Sequence, residues 1–339
     1  MSRTVSSRAR SLIRRSGISA IIAFAMATPV LAAGTQPVPP NQSPQDLVDA
    51  LHSAFGPHHA RAVHAKGTIL KGSFTPTREA SLLSKAPIFR GDALPATVRF
   101  SDFTGLPDIP DTDGNANPRG FAVKIVAKDG TAVDVVNHSF NGFPVATSDE
   151  FAVFLRAVGA SGPGVAHPTP IEQFLATHPV AKTFLTTQKP PPASYATTAY
   201  FGVNAFKYTN GKNKSVYVRY RFVPQAGEHY LTPDELKSKG PTYLQEEIAA
   251  RVAKGPILFD WYAQIAQSGD KIDNPSIAWP DGRELVKLGT IAITAIANDP
   301  AMDKQTLFLP GESHPGIEPA DPMLTIRNKA YPISFRQRQ

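Results

Sequence analysis

The fold is decided by the stretch Phe121-Ala122-Val123-Lys124-Ile125-Val126-Ala127-Lys128-Asp129-Gly130-Thr131-Ala132-Val133-Asp134-Val135-Val136-Asn137. Two runs rich in β-branched residues, 121–127 and 131–137, flank Lys128-Asp129-Gly130. A short segment ending in Asp-Gly between two such runs is typical of a tight β-turn. The stretch therefore predicts two antiparallel strands joined as a hairpin.

Similar strand patterns occur on both sides of this hairpin. They cover residues 68–74, 97–103, 200–208, 215–223, 257–265 and 289–296. Asn210-Gly211, between the third and fourth of these runs, predicts a second hairpin. Several antiparallel hairpins with helices between and after them predict an α+β fold built around a β-barrel.

Helices are predicted where a capping side chain precedes an apolar face. There are three such places: a helix that starts at Ser43-Pro44 and stops at Gly56-Pro57; a helix over 149–158, capped by Ser148; and a helix that opens at Thr232 and continues through 243–252 after Gly240-Pro241.

Residues 1–33 are predicted to be a signal peptide, with residues 34–339 as the mature domain. Five arginines and no acid accompany the apolar run 18–26, and small residues lead to a cleavage site near Ala32-Ala33. The apolar run is too short for a membrane span. We therefore expect export to the periplasm and no stable membrane span afterwards. The Sec route is favoured, although Arg14-Arg15 leaves the twin-arginine route open.

The mature chain is expected to carry little net charge. Its formal charge is +2, because five arginines of the total +7 belong to the signal peptide (7 − 5 = 2). The basic isoelectric point is therefore no argument for a nucleic-acid partner or for anionic lipid. The sequence contains no cysteine, which excludes disulfides, thiolate catalysis and cysteine-held iron–sulfur clusters.

Two stretches invite a metal-site interpretation. His58, His59 and His64 are close enough in sequence for zinc, but no HExxH or Cys/His spacing accompanies them. The stretch 111–115 resembles the start of a calcium loop, but the position that needs an acid is Ala122, so a polar turn is expected. His64 differs from its neighbours because it leads a strand-like run, where a buried neutral imidazole can move a proton.

Near the end of the chain, Arg327 and Tyr331 are four residues apart, which places them on one face of a helix. An arginine beside a phenol favours the phenolate, and a phenolate oxygen is a good ligand for ferric iron. Arg336 and Arg338 follow and can meet the carboxylates of a haem. Taken alone, these residues also fit a basic tail with one surface tyrosine.

A set of motifs, taken together and in order, resembles the haem catalase family. The motifs are Arg61-Ala62-Val63-His64-Ala65-Lys66-Gly67, Val98-Arg99-Phe100-Ser101, Asn117-Pro118-Arg119-Gly120-Phe121-Ala122-Val123-Lys124, Asp134-Val135-Val136, the run 200–208, Trp279-Pro280, the run 315–319 with Met323-Leu324, and Arg327 to Arg338. The set spans nearly the whole mature chain and is highly specific. It implies a catalase-like barrel of about eight antiparallel strands, with surrounding helices that enclose a haem b.

The resemblance implies a role for each residue on the peroxide side of the haem. His64 would take a proton from the peroxide and return it to the departing oxygen. Ser101 would set the tautomer of its imidazole, and Val63 would narrow the approach. Asn141 would hold the peroxide, with Asn137 as the alternative because the spacing around Asn141 differs from the family pattern.

The resemblance also implies the residues that would bind the haem itself. Tyr331 would be the metal ligand, as a phenolate that Arg327 keeps ionised. Arg61, Arg99 and Arg338 would pair with the propionates.

The chain ends eight residues after Tyr331 (339 − 331), and the region before His64 is short. This resembles the compact, exported branch called catalase-related peroxidases. We expect a haem peroxidase that reduces hydrogen peroxide or organic hydroperoxides with a small organic electron donor, with weak catalase activity at most. A hydroperoxide isomerase on the same scaffold and a non-catalytic haem-binding protein are the alternatives. A monomer or a small homo-oligomer is expected.

Overall fold

Eight antiparallel strands close into a barrel at the centre of the protein, whose computed structural model describes residues 41–297, 299 and 301–339. They are β1 (Gly67–Pro76), β2 (Leu94–Ser101), β3 (Gly120–Val126), β4 (Ala132–His138), β5 (Tyr200–Thr209), β6 (Ser215–Pro224), β7 (Ile257–Ile265) and β8 (Leu285–Ile296). Their order is β4-β3-β2-β1-β8-β7-β6-β5, and one pair, His138 with Phe201, joins β4 to β5. A short strand, β9 (Ile317–Pro319), adds to β5. The expected α+β barrel is confirmed.

The strand patterns located the barrel well. β3 and β4 form the predicted hairpin, with Phe121 opposite Asn137. Gly130 has a φ of 87°, a left-handed conformation that favours glycine in such a turn. Each predicted strand run coincides with an observed strand to within four residues at either end. The predicted signal peptide, residues 1–33, lies outside the described residues.

Nine α-helices surround the barrel in the described part of the chain. They are α1 (Pro44–Phe55), α2 (Arg78–Leu83), α3 (Ser148–Gly159), α4 (Pro170–Thr177), α5 (Pro179–Thr186), α6 (Pro233–Lys237), α7 (Tyr243–Val252), α8 (Ala301–Gln305) and α9 (Pro322–Gln337). α1 packs against α3 and α9, and apolar side chains of the three helices form a second core beside the barrel. None of the helices in the described residues is long and apolar enough to cross a membrane.

The helix caps follow local side-chain chemistry. Ser43 caps α1 as predicted, in a reciprocal arrangement with the carboxylate three residues later. The predicted cap of α3, Ser148, is wrong, because Thr147 accepts the hydrogen bond from the Glu150 N–H and Glu150 accepts from the Thr147 N–H. A cap at Ser148 would lack the reciprocal bond, because the third residue after it is Phe151, whose side chain has no acceptor.

The predicted continuation from Thr232 through 243–252 is also wrong, because α6 ends at Lys237 and α7 begins at Tyr243. The segment between the helices makes tertiary hydrogen bonds instead. The carbonyl of Pro241 accepts from the backbone N–H of Asp111 at 2.9 Å and from Lys66 Nζ at 2.6 Å.

Side chains alternate along β2, as they do along any strand, and this separates the barrel core from the opposite face. Phe100 points into the barrel and stacks on Phe121 with ring centroids 5.2 Å apart. Phe121 in turn contacts Tyr200 at 4.9 Å and Phe259 at 5.1 Å. Arg99 and Ser101, on the other face of the same strand, are free to build a site outside the barrel.

Candidate active site

A cavity of about 1350 Å³, measured out to its open mouth, is lined by the outer face of β2–β4 and by α1, α3 and α9. Its lining is mainly apolar and includes Leu47, Val48, Leu51, Phe143, Phe151 and Met323. Its ionisable lining residues are His64, His138, Tyr331, Arg61, Arg99, Arg327 and Arg338.

The loop before β1 holds the backbone of His64 in an uncommon conformation. Its φ is 55°, in the left-handed region that non-glycine residues seldom adopt. The surrounding contacts impose it: the His64 N–H donates to the Phe103 carbonyl at 3.0 Å, and Arg99 Nη1 donates to the His64 carbonyl at 2.9 Å. Such strain, of the order of 1–3 kcal/mol, is typically found where a side chain must be aimed.

Ser101 holds the imidazole of His64, with its Oγ 3.0 Å from Nδ1. Phe103 packs edge-on against the same ring at 5.4 Å. Burial lowers the pKa of His64 to about 3, and the charge of Arg99 adds to the effect. His64 is therefore neutral near pH 7, which is the state that can accept a proton.

Ser101, Gly120 and His138 lie directly opposite one another on β2, β3 and β4, so they share one face of the sheet. Gly120 makes room in the middle of this row. A Cβ atom there would clash with Ser101 Oγ and would lie 2.6 Å from His64 Nδ1. The absence of a side chain at Gly120 is thus what lets the His64 ring reach Ser101.

His138 is a site residue that the sequence motifs did not single out. It is 8% exposed and lines the cavity. Its Nδ1 accepts a long hydrogen bond, 3.4 Å, from the Phe140 N–H, and its Nε2 is buried with no hydrogen-bond partner among the described residues. Burial lowers the pKa of His138 to about 3, helped by the charge of Arg327.

Arg327 and Tyr331 form the pair that helical spacing predicted. They lie one turn apart on α9, and Arg327 donates to the Tyr331 hydroxyl oxygen from Nε at 3.0 Å and from Nη2 at 2.6 Å. A guanidinium can only donate, so the Tyr331 oxygen accepts both hydrogen bonds.

A relay behind Arg327 fixes its orientation. Its Nη1 donates to Asn204 Oδ1 at 2.6 Å, and Asn204 Nδ2 donates to Asp321 Oδ2 at 2.8 Å. The other oxygen of Asp321 caps α9 by accepting from the Met323 N–H. The Arg327–Tyr331 pair is thus coupled to the start of its own helix and to β5.

Three arginines meet at one edge of the cavity, around α8. Asp303 Oδ1 accepts from Arg61 Nη2 at 3.0 Å and from Arg99 Nε at 2.6 Å. Arg338 is 3% exposed and donates to the Thr306 carbonyl at 2.8 Å. Arg61 and Arg99 were predicted to bind a haem carboxylate, and here they bind a carboxylate of the protein.

Two ion pairs stabilise the loop that carries His64. Arg119 forms an ion pair with Asp102, and Lys66 forms one with Asp111. Arg119 Nη2 also donates to the Asp111 carbonyl at 2.6 Å, and Asp111 Oδ2 accepts from the Leu244 N–H at 2.8 Å. Asp111, in the stretch that resembles the start of a calcium loop, therefore pairs with a cation of the protein.

Some of the remaining predicted site residues line the cavity and others do not. Val63 lines the cavity beside His64. Asn137 lines it too, with Nδ2 donating to the Phe121 carbonyl at 3.1 Å, and its Oδ1 has no hydrogen-bond partner among the residues that the structure describes. Asn141 is not among the lining residues in the described part of the chain. His58 stacks edge-on with His52, and no three His, Asp or Glu side chains of the described residues gather as a metal site would require.

The cavity fits a haem. Its apolar lining suits a flat macrocycle, and Tyr331 offers a guanidinium-bound phenol oxygen of the type that binds haem iron. At the arginine edge, three guanidiniums face the single carboxylate of Asp303, and Arg61 Nε is buried without a partner among the described residues. Further anions would be stabilised there.

The two buried histidines predict a pH dependence of stability. Unfolding restores each pKa from about 3 to about 6.5, so the unfolded chain binds protons that the folded chain does not. Stability is therefore lost as the pH falls from 6.5 towards 3, by about 2 kcal/mol per histidine at pH 5. Urea unfolding of the protein and of the variants His64→Gln and His138→Gln should show a smaller loss between pH 7 and pH 5 in each variant. An equal loss in all three proteins would contradict this.

Comparisons with known proteins agree with the geometry. A family model described as Catalase matches residues 58–339. A protein of Mycolicibacterium paratuberculosis described as a catalase-related peroxidase is 36% identical, over 87% of this chain and 95% of its own length. A protein of Synechococcus elongatus with the same description is 34% identical, over 87% of this chain and 88% of its own length.

Solved catalases share the fold. A bacterial catalase superposes with a TM-score of 0.72 at 23% identity, over 82% of this chain and 57% of that protein. Catalase A of Saccharomyces cerevisiae gives a TM-score of 0.71 at 22% identity, over 82% and 61% of the two chains. The chain thus spans somewhat more than half the length of these catalases. With the family model matched over most of its length, the chain belongs to the catalase family.

Proposed function

We propose that this protein is a haem b peroxidase that reduces hydrogen peroxide or organic hydroperoxides with electrons from a small organic donor, and that its catalase activity is weak at most. One observation carries the proposal: a single cavity is lined both by the Arg327–Tyr331 pair and by a neutral His64 held by Ser101. A protein that only carried haem would not need a histidine in that state. The two relatives described as catalase-related peroxidases support peroxidase over catalase activity.

Tyr331 is the proposed iron ligand. Arg327 donates two hydrogen bonds to its oxygen, and the Asn204–Asp321 relay holds Arg327 in place. Bound haem iron would supply the redox chemistry that cleaves the O–O bond of the peroxide. Catalase-family membership implies haem, and the surplus charge of the arginines suits its propionates.

His64 is the proposed acid–base catalyst. When its Nδ1–H donates to Ser101 Oγ, its Nε2 carries a free lone pair that can accept the proton of a hydroperoxide. The same nitrogen can return the proton to the departing oxygen, which would otherwise leave as an unstable anion. Burial of the imidazole keeps it neutral before the peroxide arrives.

We also propose that the protein acts in the periplasm after export through residues 1–33. The basic start, the apolar run 18–26 and the small residues near Ala32-Ala33 support this. Cell fractionation followed by amino-terminal sequencing checks it, and an uncleaved cytoplasmic protein would refute it.

The variant Tyr331→Phe tests the iron ligand. It removes one oxygen and leaves the ring, so we expect a folded protein that has lost most of its haem and its Soret absorption. The control is Tyr217→Phe, which removes a hydroxyl from a tyrosine that is 39% exposed on β6 and should change neither. Unchanged haem content and spectrum in Tyr331→Phe would rule out Tyr331 as the ligand.

The reaction is tested by following oxygen release and donor oxidation in parallel. We expect peroxide to oxidise phenolic or dye donors with slow oxygen release. His64→Ala should retain haem and lose about 10²-fold or more in rate, the usual contribution of a positioned acid–base group. Rapid oxygen release without donor oxidation would show a catalase, and conversion of an organic hydroperoxide without any donor would show an isomerase.

A further inference from the structure

We propose that α8 is an electrostatic latch, in which Asp303 competes with a haem propionate for Arg61 and Arg99. The inference rests on the proposed haem site and extends it to the entry of the cofactor. It gives a function to an acidic residue that none of the sequence motifs contains.

The contacts of Asp303 are those that a propionate would make. Its Oδ1 accepts from Arg61 Nη2 at 3.0 Å and from Arg99 Nε at 2.6 Å, and its Oδ2 accepts from Arg99 Nη2 at 3.1 Å. The two Arg99 bonds form a fork on one carboxylate, which is the favoured geometry for this pair of groups. A propionate ends in the same carboxylate, so the two anions need the same donors.

Backbone carbonyls in and beside α8 accept further hydrogen bonds from the arginines at this edge. Arg61 Nη2 also donates to the Asp303 carbonyl at 2.7 Å and to the Thr306 carbonyl at 2.9 Å. Arg338 Nη2 donates to the Thr306 carbonyl at 2.8 Å. A propionate that approaches this edge therefore finds guanidinium donors already engaged.

α8 is held in place mainly by these polar contacts. It is five residues long, and none of its residues, Ala301–Gln305, is buried. Apolar burial of about 25 cal/mol per Å² is the usual anchor of a helix, and α8 has little of it. Besides its ion pairs, α8 is held by hydrogen bonds to its backbone carbonyls, among them one from Arg338 Nε to the Lys304 carbonyl at 3.1 Å. A helix held chiefly by arginine donors can be released by an anion that takes those donors.

The charge balance favours such an exchange. Although burial opposes it, the charges of Arg99 and Arg61 lower the pKa of Asp303 to about 2, so the carboxylate stays charged over the working pH range. Burial lowers the pKa of Arg61 to about 9, and the neighbouring Arg99 adds to this. Asp303 therefore neutralises only part of the positive charge, and its loss would strengthen the attraction for another anion.

The variant Asp303→Asn tests the latch, because it keeps the shape of the side chain and removes its charge. The full chain, freed of haem, is mixed with ferric haem, and the Soret absorbance gives the association rate and the dissociation constant. We expect Asp303→Asn to bind haem about tenfold faster and more tightly, as the loss of one charged hydrogen-bonded competitor implies. Asp303→Ser should behave in the same way.

Two controls isolate the competition for the arginines. Haem dimethyl ester has no propionate charge, so the protein and Asp303→Asn should bind it at equal rates. Asp281→Asn removes the partner of Arg221 in another ion pair, which lies outside the cavity lining, and it should leave haem binding unchanged.

The outcomes separate the latch from the proposed function. Slower, weaker or unchanged haem binding by Asp303→Asn would overturn the latch and leave the haem site standing. An equal gain with the dimethyl ester would overturn it too, because the effect would not involve propionates. Failure of the protein itself to develop a Soret band with haem would refute both proposals.

Discussion

Three buried charges and the partly buried ammonium of Lys66 form the interaction on which the rest of the site depends. Lys66 and Arg119 face Asp102 and Asp111, and together they tie the loop of His64, the end of β2, the start of β3 and the start of α7 to one another. Two cations against two carboxylates leave the cluster neutral, which is what makes its burial tolerable. Removal of one member would leave an uncompensated buried charge, so the loss of any one of the four should destabilise the whole cluster.

The two faces of β2, the strand next to this cluster, have different roles. Phe100 of β2 belongs to the aromatic core of the barrel, while Arg99 and Ser101 on the opposite face orient the backbone and the ring of His64. The face of β2 that orients His64 therefore belongs to a rigid barrel strand, although it lies outside the barrel interior. α9 supplies Tyr331 from the other wall, and the cavity is the space between a barrel and a small helical core.

The sequence was most informative wherever a periodic pattern or a short motif was enough. The β-branched runs predicted the strands, and the four-residue spacing of Arg327 and Tyr331 predicted their contact. Long-range partners could not be predicted, because no local pattern records them: Asp303 meets Arg99 from 204 positions away. His138 could have been found from the alternation along β4, which places it on the face of Gly120, but the predicted strand stopped one residue short of it.

The closure of the barrel has a consequence for how the site can move. Among the described residues, a single backbone pair, His138 with Phe201, closes β4 onto β5, whereas seven pairs join β3 to β4. Segments with few interstrand bonds open locally at a lower free energy than the rest of a sheet. The β4–β5 edge, which has the fewest backbone pairs in the barrel, also lines the cavity through His138 and Asn204. Amide hydrogens along this edge should therefore exchange with solvent before those of the other barrel strands.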